Sequence, residues 1–192
     1  STVKYFIVSK DSSYSSPNTT VTIYGGTDYD LANSAISAVS YSYAKCPAGF
    51  PVDATKWDWQ TTDTTDRAYT PATAGTVYNP GSISLSVPIG VWTLGFEAIA
   101  QIGYGGAATG QKYMNVGLST ANNSYSDAEL KTSIAGAAPE MVRGHVQRSK
   151  NLTLTTKTAY YLNDSCDGSN QYIYILGSSC GTTLVKATCR LL

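Results

Sequence analysis

The chain has 192 residues, enough for one domain with a sizeable core or for a domain with an N-terminal appendage. Its 13 basic and 13 acidic residues cancel and only 14% of positions are charged, so no one-sign field draws it to nucleic acid. No apolar run approaches the roughly 20 residues needed to cross a bilayer, and no membrane insertion is expected. The 15 Tyr against 3 Phe and 3 Trp favour strands and turns, and supply rigid amphipathic faces of the kind binding surfaces use.

In chain order, the sequence is strand after strand. It begins at Ser with no basic-then-apolar leader, as a processed or excised chain would. "TVKYFIVS" (2–9) and "TTVTIYGG" (19–26) alternate in polarity and predict a hairpin with a long connection. "SAISAVSYSYAKC" (34–46) puts Val39, Tyr41 and Tyr43 on one face. From Pro47 to Pro80 the composition shifts to Thr, Asp, Ala, Gly and Pro, which predicts long loops with one strand near "KWDWQT". Beyond Gly81, "SISLSVPIGVWTLGFEAIAQ" alternates again on both sides of a tight "PIG" corner.

A glycine-rich loop, "GYGGAATGQKY" (103–113), leads on to "KYMNVGLST" and predicts a hairpin. Gly105 and Gly110 have phosphate-loop separation, but Gln111 stands where the lysine belongs and a strand follows instead of a helix. Ser126 and Glu129 have capping-box spacing and predict one short helix. "EMVRGHVQRS", "NLTLTTKTAYYLN", "QYIYILG" and "TTLVKATCRLL" complete the strands, the last with Val185, Ala187, Cys189 and Leu191 on one face. Roughly eight to ten strands with frequent turn signals and almost no helix predict an all-β fold. The expected architecture is an antiparallel β-sandwich of jelly-roll type. Its core is residues 81–192, and residues 1–80 are a hairpin plus long loops, an accessory or an elaboration of the sandwich.

Four cysteines allow three ways of forming two bridges. Cys166 and Cys180 flank "QYIYIL", whose ends are roughly 17 Å apart when extended, whereas a disulfide needs Cα atoms within about 7 Å. Cys180 and Cys189 are separated in the same way. Mostly free thiols are expected, with a pairing of Cys46 to a C-terminal partner left open. His145 is the only histidine and no C-x-x-C occurs, so no metal site and no cofactor are expected.

The segment "SISLSVPIGVWTLGFEA" resembles the strand–"P-x-G"–aromatic strand unit of trimeric jelly-roll heads. These are the complement-type and tumour-necrosis-factor-like domains and the similar knobs of tailed-bacteriophage fibres, spikes and head fibres. "NLTLTTKTAYYLN" and "TTLVKATCRLL" are similar to late strands of phage fibre-tip modules. The resemblance covers about Gly81 to Leu192. It implies a homotrimer at the virion surface, assembled in a bacterial cytoplasm where thiols stay reduced. It also implies contact with other virion proteins and with a host surface polysaccharide or lipopolysaccharide. A secreted lectin-like or complement-like head, and a structural capsid or fibre decoration domain without glycan binding, are the alternative readings.

"KWDWQTTDTTDRAY" (56–69) is the richest candidate site. An extended chain puts Trp57 and Trp59 on one side and Asp58 opposite. Aromatic platforms with carboxylates beside them suit a pyranose ring and its hydroxyls, and Asp63, Asp66 and Arg67 are at hand. The competing role, tryptophans in the core and aspartates capping turns, is the commoner arrangement. Tyr104 and Tyr113 flank the glycine-rich loop as further contact candidates. Arg143 and His145 share a strand face, which in a trimer could cluster at the axis. A non-enzymatic binding role is expected. Glycan hydrolysis needs two carboxyls about 5–9.5 Å apart, a condition any Asp-rich loop meets, and a serine esterase would need a G-x-S-x-G elbow on a strand-to-helix turn, whereas the one such run, "GSSCG" (177–181), joins two predicted strands.

Overall fold

The computed structural model describes residues 6–24, 32–37, 39, 58–87, 90–105, 110–137, 140–169, 171–178 and 180–190. Among these the regular structure is thirteen β-strands and one 3-10 turn at Pro80–Ser82, and every strand pairing is antiparallel. Two large sheets face one another as a β-sandwich, and a separate two-stranded hairpin stands in the N-terminal region.

That hairpin is β1 (Ile7–Ser15) and β2 (Asn18–Tyr24). Its connection is not the long loop expected but the pair Ser16–Pro17, because the polar run to Ser15 continues the ladder as far as Ser15 opposite Asn18. Most of the strand expected over residues 34–46 lies outside the described residues.

The six-stranded sheet is organised by β7 (Gly90–Tyr104). Along one edge β10 (Val142–Leu154) pairs with it over its whole span, from Val142 opposite Ile102 to Leu154 opposite Gly90. The other edge is shared: β12 (Gln171–Leu176) pairs with residues 99–104, and β13 (Thr183–Cys189) pairs with residues 92–97. Outside these lie β4 (Arg67–Ala72) against β12 and β3 (Asp58–Asp63) against β13. β3–β4 and β12–β13 are thus two long ribbons, each broken by a short excursion at the same level. The breaks are locked together: the Asp66 carboxylate accepts the Gly177 and Ser178 amides at 2.8 and 2.9 Å.

The five-stranded sheet centres on β11 (Thr158–Cys166). β8 (Gln111–Ser119) borders one edge, with β9 (Lys131–Ala137) beyond it; β6 (Ser84–Val87) and the two-residue β5 (Val77–Tyr78) share the other. Residues 58–80 therefore hold three strands where one was expected. Their Thr- and Asp-rich sequence lacks apolar alternation because these are edge strands, half exposed. The glycine-rich loop does not close a hairpin either. β7 and β8 belong to different sheets, so the chain crosses the sandwich there.

Period-two burial seals the interior. Trp92, Leu94, Phe96, Ala98, Ala100 and Ile102 of β7 all point inward, with Trp92 only 1% exposed. They meet Met114, Val116 and Leu118 of β8 and Tyr160 and Leu162 of β11 in a single core. Each large side chain so buried contributes about 1.5–3 kcal/mol. Gly81, at φ 66°, turns the chain into β6 in a conformation that L-residues avoid; a Cβ there would also fall 2.5 Å from the Arg67 Nε.

No helix forms after Ser126. Its hydroxyl instead holds Ser119 Oγ at 2.8 Å and accepts the Thr120 amide at 3.2 Å, while Asp127 Oδ1 accepts the Glu129 amide at 2.9 Å. Serine and aspartate side chains compete with the backbone in this way, and here they fold residues 120–130 into a turn-rich roof over the outer face of the five-stranded sheet. Asn163 of β11 donates to Ala121 O and Ser124 O at 3.0 and 2.7 Å, and the Tyr125 hydroxyl donates to Asn115 O at 3.0 Å.

Candidate functional site

Alternation that buries the even positions of β7 presents Thr93, Gly95 and Glu97 on the outer face of the six-stranded sheet. The register then fixes their neighbours. Asn151, Ser149 and Gln147 of β10 stand opposite them on one side, and Thr188, Lys186 and Leu184 of β13 on the other. Asp58, Gln60 and Thr62 of β3 extend the same rows outward. All of these but Asn151 and the three β3 residues line an open trough of about 460 Å³. Phe96 and Arg148, whose side chains alternate to the other face, border it with their backbones.

Gly95 is the floor of the trough. A Cβ there would lie 2.8 Å from the Arg148 carbonyl and 3.0 Å from the Ser149 Cβ, so the close approach of β10 to β7 requires glycine. Two polar pairs fix its rim: Thr93 Oγ1 donates to Asn151 Oδ1 at 3.0 Å, and Lys186 Nζ pairs with Asp58 Oδ2 at 2.9 Å. Glu97 and Gln147 face each other across the strands, both exposed, with a carboxylate and an amide turned to solvent. The trough therefore offers acceptors, donors and hydroxyls on a shallow, nearly flat bed.

The residues singled out from sequence separate into several places. Asp58 reaches the trough only through its ion pair with Lys186. Trp59, on the opposite face of β3, is half-buried and packs against the core, and Trp57 lies outside the described residues. Asp63 and Arg67 form an ion pair of 2.8 Å at the ends of β3 and β4. Burial alone would lift the Asp63 carboxyl, but hydrogen bonds from Arg67 and the Thr65 amide, with the Arg67 charge, hold it below the ordinary range. Asp66 joins the two ribbon breaks. These three acids and bases are engaged in closing turns.

Tyr104 donates to Gly136 O at 2.7 Å and ties the end of β7 to β9, whereas Tyr113 is exposed on β8. Arg143 is held within the chain: Nε and Nη2 donate to Gln101 Oε1 at 2.9 and 2.7 Å, and Nη1 to the exposed Cys180 thiol at 2.8 Å. His145 is exposed on the same outer strand face. Cys166 and Cys180 are free thiols, and Cys46 lies outside the described residues.

Sequence reasoning passed over Thr93, Gly95, Ser149, Lys186 and Thr188 as binding candidates. The signal was present as the polar half of each alternating strand, but only the sheet order brings four strands' polar halves side by side. The sequence matches no family model, and no curated protein matches it. Fold and site define an all-β antiparallel sandwich with one roofed and one open sheet face.

Proposed function

We propose that this chain is a non-enzymatic attachment module of a phage fibre or spike that grips a host cell-surface glycan. The outer trough around Gly95 is the gripping surface. The observation that supports this most directly is the composition of that bed: Glu97, Gln147, Thr93, Thr188 and the Lys186–Asp58 pair surround a glycine floor on a wide sheet face. Sugar hydroxyls need such neutral and charged partners at close spacing, and a flat bed admits a ring. The reading in which the ligand lies on Trp57 and Trp59 is less favoured, because Trp59 is turned to the core.

A second role in assembly, as part of a homotrimer or against other virion proteins, is favoured by the N-terminal region. Tyr14 and Val21 on the hairpin are 71% and 45% exposed, and Ile36 and Val39 beyond it are also bare.

Binding of the full chain to arrayed bacterial polysaccharides and lipopolysaccharides tests the first role. The double variant Glu97→Ala, Gln147→Ala should lower affinity about 10- to 100-fold, the loss of two net hydrogen bonds, with no change in melting temperature. An array on which the unmodified chain binds nothing would sink the attachment reading. Light scattering tests the second role: three chains per particle are expected, and a monomer at working concentration would exclude the homotrimer.

A further inference from the structure

Asp164 is the most anomalous side chain among the described residues. It lies on the inner face of β11, 1% exposed, and neither carboxyl oxygen has a hydrogen-bond partner. Its register neighbours are Val116 of β8 and Tyr78 of β5. A carboxylate in such a place loses its hydration with nothing in return, whereas the neutral acid loses far less. Burial alone pushes its pKa up to about 8.

The titratable groups that feel its charge are Tyr69 of β4, Tyr125 of the roof and Cys166 on its own strand, with Tyr78 opposite on β5. None of them is a cation. The carboxyl therefore keeps its proton at neutral pH for as long as its surroundings stay closed.

One wall of that site is much weaker than the rest. β8 holds β11 through residues 161–166 and β6 holds it through residues 158–161, but β5 is bound only at Asp164 and Ser165. β5 also ends its sheet, with no strand beyond it among the described residues. The turn before it is attached by few contacts. The Gly75 amide donates to Cys166 O at 2.9 Å, and the Cys166 thiol, which donates to Gly168 O at 3.2 Å, lies 3.8 Å from Thr73 O. Tyr78 stacks on Tyr69 of the facing sheet with ring centroids 4.0 Å apart, and at the far end Asn79 accepts from the Tyr69 hydroxyl at 3.4 Å and donates to the exposed Asn122 at 2.8 Å. Residues 73–79 thus form a flap lying over Cys166 and closing the edge beside Asp164.

We propose that residues 73–79 are a proton-latched flap: the neutral acid form of Asp164 seats the flap over Cys166, and loss of that proton opens the flap and bares the thiol. In the open form water reaches the carboxyl, which returns to an ordinary value of about 4. The closed form binds its proton more tightly, so closure is firmest below about pH 4. Opening then grows by up to about tenfold per pH unit until the closed-state value near 8, and levels off above it. The latch is independent of the attachment reading, because it sits on the other sheet.

The test uses the full chain carrying Cys46→Ser and Cys180→Ser. Reaction of Cys166 and Cys189 with 4,4′-dithiodipyridine is followed from about pH 5 to about pH 8, and each rate is divided by that of the denatured chain at the same pH. Protection of Cys166 should fall steadily across this range, by about 100-fold or more in all, while Cys189, buried on β13, keeps its protection. Asp164→Asn should leave Cys166 protected at every pH. An unchanged slope in Asp164→Asn, a flat profile in the parent, or Cys189 losing protection in step with Cys166 would each overturn the latch. Infrared spectroscopy gives an independent reading. A carboxylic-acid carbonyl band at pH 7 that disappears in Asp164→Asn is expected, and a parent protein without that band would also overturn it.

Discussion

The two sheets of the sandwich treat their outer faces in opposite ways. On the five-stranded sheet, residues 120–130 fold back over β8 and β11, so that Asn163, Ser165 and Ser119 are buried although they point away from the core. On the six-stranded sheet the equivalent side chains, Thr93, Glu97, Gln147 and Lys186, stand in or near water. Both faces are polar by alternation. What differs is who satisfies the polar groups: the chain's own loop backbone in one case, solvent or a ligand in the other. A buried polar group left without a partner is costly, so the roofed face is committed to structure, while the open face is free to exchange water for something else.

This contrast can be broken at the roof first. Tyr125 is the roof's largest anchor, its hydroxyl reaching Asn115 O and its ring carrying Lys131 Nζ at 4.7 Å from the centroid. Tyr125→Ala should destabilise the fold by about 2–4 kcal/mol in chemical denaturation, the loss of a half-buried ring together with its hydrogen bond. Asn163→Ala, which strands the Ala121 and Ser124 carbonyls, should cost about 1–3 kcal/mol. If either proves neutral, the roof is not a structural element and the contrast between faces fails.

A smaller effect comes from acid. Lys150 of β10 reaches across the sandwich edge to Asp127 at 2.8 Å and Glu129 at 2.5 Å, both in the roof. The hydrogen bond from Lys150 leads the causes that hold the Asp127 carboxyl below its ordinary value, against partial burial. A lowered carboxyl contributes stability that is complete above the unfolded value near 4 and is lost as pH falls through the folded one. Amide protection in residues 126–131, taken relative to the intrinsic exchange rate at each pH, should therefore fall below about pH 4 in the parent and change less in Lys150→Met. On the open face, Thr62→Ala should shift stability by no more than about 0.5 kcal/mol, since nothing in the fold leans on an exposed strand position. A loss above about 1 kcal/mol there would mean that the open face, too, is part of the structural frame.

Much of the fold was legible in the alternation. β7, β8, β12 and β13 show it over residues 90–104, 111–119, 171–176 and 183–189, because a strand buried on one face must repeat every second residue. β4 and β5 were not legible, since "RAYTPA" and "VY" are edge segments whose exposed positions need not be apolar. The expected helix failed for a local reason: Ser126 found Ser119 and Thr120, partners that exist only once β8 is in place. The residues of the candidate site are likewise brought to separate places by partners distant in the chain. The Asp-rich run looked like ligand chemistry, yet Asp63 and Asp66 close turns, while the polar grid around Gly95 was dispersed over strands far apart in the chain.

By itself, then, the amino-acid order determined that this is an antiparallel all-β protein with Trp92 and Phe96 inside, because side-chain polarity and the pleat are local matters. Only tertiary structure decided which polar face was roofed and which was left bare, and that Asp164 would be enclosed without a partner. Those outcomes depend on pairings between segments up to about a hundred residues apart, and no local rule carries information over that distance.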